Sequence, residues 1–104
     1  MVTVERHDDA PLRAATILLG GDIDLANVAS VAAAIDAELR AGVERITIDL
    51  DLVTFLSSSL LNILVAGRQR CEAAGGTLAV TATVASHRRL FTITNLDQLL
   101  TSSS

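Results

Sequence analysis

Three consecutive hydroxyl side chains, Ser57, Ser58 and Ser59, are the residues of this sequence best placed to do chemistry. They follow the strand-like segment 46–50 and the apolar run 54–56, and they precede a stretch with helical spacing. The first N–H groups of a helix have no partner inside the helix, and its dipole favours negative charge. We therefore expect a polar or anionic group at this junction. One of the serines is predicted to cap the helix, because a serine oxygen accepts hydrogen bonds from such N–H groups.

Phosphorylation is the serine chemistry that suits this position. A phosphate adds about −1.5 to −2 charges. At a helix N-terminus the dipole stabilises such a charge by roughly 0.3–1 kcal/mol. A modification here should leave the fold intact and act outward, by repelling a docked partner.

Nucleophilic catalysis by a serine has little support in the sequence. The only histidines are His7, expected in or near an opening hairpin, and His87, expected on a solvated helix face beside Arg88 and Arg89. A catalytic serine needs an adjacent base, and the Gly-x-Ser-x-Gly elbow is missing. Hydrolase chemistry at these serines is therefore not predicted.

Four aspartates, Asp22, Asp24, Asp49 and Asp51, form the main acidic set and fall near predicted strand ends. They can be interpreted as a cap, Asp24, with solvated turn charges, or as acids that share one sheet edge with the serines. Their spacing matches no carboxylate metal site, and one cysteine with two distant histidines is too few for zinc. No metal and no cofactor are predicted.

The composition excludes several classes of function. Eight basic and twelve acidic residues give a formal charge of −4, which argues against nucleic-acid binding. Two phenylalanines without Trp or Tyr leave no stacking platforms for single strands. The longest uncharged run, residues 52–67, contains three serines and an asparagine, so we predict no membrane insertion and a cytoplasmic protein. The single cysteine, Cys71, shares a helical stripe with Leu61 and Leu64 and is predicted to be a buried, inert thiol.

Alternating strand and helix patterns predict a single α/β domain. The expected order is β-β-α-β-α-β-α, a mixed sheet of about four strands with three to four helices. The polar residues His7, Asp8 and Asp9, together with Pro11, are predicted to form the turn of the opening hairpin. Strands are predicted at 1–5, 12–19, 46–50 and 77–83. One helix is predicted to end before Gly42, a second to span about 58–74, and a third to extend from the predicted cap Ser86 to Asn95.

Several motifs, in this order, resemble the STAS domain, named for sulfate transporters and anti-sigma-factor antagonists. Gly21-Asp22-Ile23-Asp24 stands where the family has Gly-Glu-(Ile/Leu)-Asp, and residues 49–61 follow its third-strand pattern. Ala74-Gly75-Gly76 matches the family's helix ending, and Arg88-Arg89 with Asn95-Leu96 matches its last helix. The resemblance extends from Val2 to Leu100, so we expect a STAS domain over residues 1–100 and a polar tail at 101–104.

The resemblance implies a function and a site. In the anti-sigma-factor antagonists, the serine that follows the family's aspartate is phosphorylated by the anti-sigma factor, a serine kinase; by position it is Ser58 here. The unphosphorylated antagonist binds the kinase and releases the sigma factor, and phosphorylation blocks that binding. The resemblance thus implies a binding module and not an enzyme. The implied partner-binding residues are Asp22, Asp24, Asn27, Ser57, Ser58, Ser59 and Leu60.

The sequence departs from the family pattern at two positions of the site. Ser57 replaces the family's aspartate, and Leu60 replaces its glycine, which adds bulk where a partner's backbone would approach. A shortened final layer could leave a strand edge exposed and favour a homodimer. Two other functions stay open: an accessory subunit that docks on an ABC-type or other membrane transporter, and a small-ligand sensor using the strand-end cleft.

Overall fold

The computed structural model describes residues 2–9, 12–23, 27–96 and 99–100. Over these ranges the chain has the predicted order β-β-α-β-α-β-α and the predicted mixed sheet. The elements are β1 (Val2–Asp9), β2 (Leu12–Ile23), α1 (Val28–Arg40), β3 (Arg45–Leu56), α2 (Ser58–Ala73), β4 (Thr77–Thr81) and α3 (Ala85–Ile93).

The four strands lie in the order β1-β2-β3-β4. β1 is antiparallel to β2, whereas β2 and β3, and β3 and β4, are parallel. Each parallel connection crosses over through a helix, and such crossovers are right-handed. Because both advance across the sheet in the same direction, α1 and α2 lie on one face.

Side-chain burial follows this one-sided arrangement. Ile17, Ile48 and Val80 are in register across β2, β3 and β4 and are fully buried. Their neighbours in the adjacent row, Thr16 and Thr47, are only half-buried. The covered face carries the aliphatic core, to which the helices contribute Val31, Ile35, Leu60, Leu61, Leu64, Cys71 and Phe91.

The strands extend further than the sequence predicts. β1 pairs as far as Asp9, opposite Leu12, so residues 7–9 belong to a strand and not to the predicted turn. Pro11, the other residue of that prediction, lies outside the described residues. β2 continues past Gly20 and Gly21 to Ile23. The predicted stop at these glycines is instead a bulged region, where the β2–β3 register shifts and Gly21 adopts a φ of +75°.

The predicted ends of α1 and α3 are confirmed, whereas the predicted start of α3 is wrong. Gly42 follows α1 with a φ of +83°, and Asn95 follows α3 with a φ of +59°, the left-handed backbone typical of helix terminators. Ser86 does not cap α3, because it lies inside the helix and Val84 occupies the N-cap position. Among the described residues, no helix is long and apolar enough to cross a membrane.

His87 corrects the prediction of a solvated helix face. Its side chain is buried, and its Nε2 atom lies 2.7 Å from the carbonyl oxygen of Val53. This contact joins α3 to the carboxyl-terminal part of β3. Cys71 is buried as predicted, and loss of solvent raises the pKa of its thiol.

The described C-terminal residues lie against the sheet. Leu99 is buried, and Leu100 forms a parallel bridge with Val80 of β4. The predicted polar tail, 101–104, lies outside the described residues. The predicted homodimer stays a prediction.

An ion pair ties the first strand to the first helix. Arg6 Nε lies 2.8 Å from Glu38 Oε1, and Arg6 Nη2 lies 3.0 Å from Glu38 Oε2. The Glu38 side chain is almost fully buried, whereas that of Arg6 is more than half exposed. The Arg6 hydrogen bond lowers the pKa of Glu38 below its ordinary value of 4.5, against the opposing effect of desolvation.

This pair predicts a pH-dependent contribution to stability. A lowered pKa in the folded state stabilises the fold above pH 4.5, and this contribution is lost as the pH falls through the folded-state pKa. Arg6→Gln should lower the free energy of unfolding by about 1 kcal/mol at pH 7, and by much less at pH 3. Urea unfolding across this pH range measures the difference. Arg40→Gln, which removes an exposed pair with Asp36, is the control with little effect. An Arg6→Gln deficit that is the same at pH 7 and pH 3 would contradict the assignment.

Candidate functional site

The three serines stand at the edge of the sheet where β2 and β3 end together. Ile23 and Leu56, the last residues of the two strands, are in register. Ser57 is the N-cap of α2, and its Oγ accepts a hydrogen bond from the Leu60 N–H at 3.2 Å. The same hydroxyl donates to the Ile23 carbonyl at 3.1 Å. One side chain thus fixes the helix start to the end of the neighbouring strand, and the prediction of a serine cap is confirmed.

Ser58 is the first residue of α2, and it is exposed. Within the described part of the chain, no hydrogen bond holds its hydroxyl. Ser59 is half-buried. The first turn of α2 contains no acidic residue, so a negative group on Ser58 would meet the helix dipole without a like charge in that turn.

Leu60 does not lie on the surface. Its side chain is fully buried and belongs to the core cluster. The residue that replaces the family's glycine therefore adds its bulk to the interior. This corrects the prediction that Leu60 is available to a partner and obstructs its approach.

Two other predicted contact residues, Asp22 and Asn27, lie near the same corner and are exposed. The Asp22 carboxylate accepts a hydrogen bond from the Thr54 hydroxyl of β3. The Asn27 side-chain amide donates to the Asp22 carbonyl at 2.8 Å. Asn27 occupies the N-cap position of α1 without a capping bond from its side chain. Asp24, predicted as both cap and contact, lies outside the described residues.

Asp49 and Asp51 have local structural roles. Asp49 Oδ1 accepts from the Asp51 N–H at 2.9 Å. Asp51 Oδ1 accepts from the backbone N–H and the hydroxyl of Thr83, at 2.7 and 3.0 Å, and so fixes the segment after β4 to β3. In the described ranges, no group of three or more His, Cys, Asp and Glu residues is arranged to hold a metal ion.

Two exposed apolar side chains on β3 were not predicted from the sequence. Leu52 is 60% exposed and Phe55 is 63% exposed. Residues 46, 48 and 50 are buried in alternation, but the next buried positions are 53 and 56. The change of phase lies where the β2–β3 register shifts, beside Gly20 and Gly21, and where β3 has an extra residue relative to β2 at each shift. Two adjacent glycines in the neighbouring strand were the one signal in the sequence that could have indicated it.

The Ser57 hydrogen bonds predict a stability difference between adjacent serines. Ser57→Ala removes the cap and the bond to Ile23, so the free energy of unfolding should fall by about 1 kcal/mol. Ser58→Ala is the matched control, because its hydroxyl has no described partner; it should stay within about 0.5 kcal/mol of the wild type. Chemical unfolding of the three proteins measures both values. Equal stabilities of the two variants would contradict the capping role of Ser57.

Comparisons with known proteins agree with this fold. An anti-sigma factor antagonist from Mycobacterium paratuberculosis has a TM-score of 0.74 at 27% identity, over 96% of this chain and 83% of that chain. Unphosphorylated SpoIIAA, an anti-sigma factor antagonist, has a TM-score of 0.79 at 17% identity, over 98% of this chain and 89% of its own. Phosphorylated SpoIIAA from Bacillus has a TM-score of 0.72 at 18% identity, over 98% and 92%.

No curated protein sequence matches this chain. Residues 7–101 match a protein family described as "Mlab, STAS domain". The match includes β2, β3, the helices α1, α2 and α3, and the three serines 57–59. Because it extends over most of the sequence, the chain belongs to the STAS-domain family.

Proposed function

We propose that this chain is an anti-sigma-factor antagonist. It binds an anti-sigma factor that is a serine kinase, releases the sigma factor, and loses its affinity when Ser58 is phosphorylated. The observation that carries the proposal is the exposed Ser58 hydroxyl at the start of α2, beside Ser57, whose hydroxyl is already engaged. Of Ser57, Ser58 and Ser59, Ser58 alone is exposed, and no described hydrogen bond holds its hydroxyl.

The comparisons support the same function. The antagonist from Mycobacterium paratuberculosis is 27% identical to this chain in an alignment that covers 96% of this chain. SpoIIAA, which has the same fold, is known in a phosphorylated and an unphosphorylated form. The chain would act in the cytoplasm, where sigma factors work, and as a binding module without catalysis of its own.

The proposed contact surface consists of the corner residues with accessible side chains. We name it the switch surface and define it as Asp22, Asn27, Ser57, Ser58 and Ser59. Asp24 is proposed as an additional contact from outside the described residues. Leu60 is left out because its side chain is buried.

A phosphate on Ser58 would weaken binding for an electrostatic reason. The hydroxyl that accepts a γ-phosphate must lie in line with it, so after transfer the phosphoserine faces the remaining phosphates of the nucleotide. The phosphate adds about −1.5 to −2 charges at that position, and facing like charges cost several kcal/mol across an interface. The start of α2 stabilises the same charge within the antagonist itself. The switch would therefore change affinity without unfolding the domain.

Charge substitution on α2 tests this proposal. Ser58→Asp should weaken binding to a purified anti-sigma kinase of the host at least tenfold in the presence of ADP, whereas Ser58→Ala should bind like the wild type. Gln69→Asp places the same charge on an exposed position of the same helix, about three turns away, and should have little effect. Isothermal titration calorimetry measures the affinities, and circular dichroism checks the fold.

Two results would contradict the proposal. Wild-type affinity of Ser58→Asp would remove the switch from Ser58. Equal weakening by Ser58→Asp and Gln69→Asp would show a response to net charge rather than to this position.

A further inference from the structure

An apolar pair lies three and six residues before Ser58 on the carboxyl-terminal part of β3. Phe55 is 63% exposed and Leu52 is 60% exposed. The other phenylalanine of the chain, Phe91, is fully buried in the core. Exposed apolar side chains that lie together on a surface often mark an interaction site, whereas single ones are common.

The backbone pairing of β2 and β3 keeps this pair in place. Leu52 is in register with Gly20, which has no side chain, and Phe55 is in register with Asp22. The register shifts between these two positions, where Gly21 has a positive φ. Both side chains therefore belong to a paired strand rather than to a loop. A preorganised apolar surface loses little conformational entropy when it binds.

The acidic residues around this pair have no described counter-charges. The ion pairs of the described residues join arginines to Asp36, Glu38 and Glu72, which lie on α1 and α2. Asp22, beside Phe55, takes part in none of them, and its described side-chain partner is the Thr54 hydroxyl. Asp51, one residue before Leu52, is bonded to Thr83 and is likewise outside the described ion pairs.

We propose that Leu52, Phe55 and Asp22 form a docking surface for a basic amphipathic segment of the anti-sigma factor. Apolar side chains of the segment pack on Leu52 and Phe55, and a lysine or arginine lies opposite Asp22. This inference rests on the proposed function, because the surface continues into the switch surface. Leu56 of the same strand is in register with Ile23, whose carbonyl accepts the Ser57 hydroxyl bond.

The exposed area and the charge favour such a segment over a second copy of the chain. A stable protein dimer buries about 800 Å² on each partner, and one phenylalanine and one leucine supply only a fraction of that. A second copy would also bring another Asp22, and like charges disfavour association. A basic amphipathic segment complements both the apolar pair and the acid.

Replacing an exposed apolar side chain by serine at two matched positions tests the apolar part of the proposal. Phe55→Ser should weaken binding to the anti-sigma kinase at least tenfold, because aromatic anchors carry much of the affinity of an interface. Ile93→Ser is the control: Ile93 is 68% exposed and lies at the end of α3. It should bind like the wild type. If Phe55→Ser binds as tightly as Ile93→Ser, the proposal is overturned.

The salt dependence of binding tests the acidic part. Asp22→Asn keeps an oxygen to accept from Thr54 but loses the charge. Its affinity should therefore fall less steeply with added salt than that of the wild type. Glu44→Gln changes an exposed acid near the amino-terminal end of β3 and should retain the wild-type slope. Equal slopes for the wild type and Asp22→Asn would contradict a cation opposite Asp22.

A defined peptide separates failure of this inference from failure of the proposed function. An amphipathic Leu–Lys helical peptide should shift the NMR signals of the amides at 20–23 and 52–56, and a Leu–Glu peptide of the same pattern should not. If the kinase does not bind the wild type but the Leu–Lys peptide does, the proposed function fails and the docking surface is supported. If neither peptide shifts these amides, the docking surface is overturned whatever the kinase does. Shifts that depend on protein concentration without peptide would indicate a second copy instead and would also overturn it.

Discussion

The parallel pairing of β2 with β3 continues to the last residue of both strands, and the Ser57 hydroxyl closes the corner that they form with α2. It donates to the Ile23 carbonyl at 3.1 Å and accepts from the Leu60 N–H at 3.2 Å. An aspartate can cap the same helix, but as a carboxylate it has no proton to donate to Ile23. The serine therefore fixes the corner as a neutral group, and Ser58 begins the helix as an exposed residue.

The acidic residues that form ion pairs within the fold lie on different elements from the exposed acid at this corner. The described ion pairs involve acids of α1 and α2, where Asp36 lies between two arginines and Glu38 holds β1. At the carboxyl ends of β2 and β3, by contrast, Asp22 is exposed and outside those pairs. Charges already paired within a fold add little to recognition, whereas unneutralised ones steer a partner and set its orientation. This division would allow the proposed switch to change the affinity of one face while the domain stays folded.

Much of the fold was predictable because strand and helix periodicity is local. Alternation predicted the centre of β3, the helical stripe predicted the burial of Cys71, and an N-cap preference predicted the serine cap. What could not be predicted depends on pairing between distant segments. The bulge beside Gly20 and Gly21 reverses the phase of β3 and exposes Phe55, and packing of α3 on β3 buries His87. Leu60 was misjudged because a family comparison gives the position of a residue but not the direction of its side chain.

The central claim is that Ser58 is accessible to a kinase while the Ser57 hydroxyl is held by hydrogen bonds. Identifying the serine that receives the phosphate tests this claim most directly. Purified chain would be incubated with ATP and an anti-sigma kinase that binds it, then cleaved after arginine. Peptide 46–68 contains Ser57, Ser58 and Ser59 and no other serine, so fragmentation in the mass spectrometer can assign the phosphate. We expect one phosphate, on Ser58. Phosphate on Ser57 or Ser59 with Ser58 unmodified, or none transferred by a kinase that binds the chain, would contradict this description of the corner.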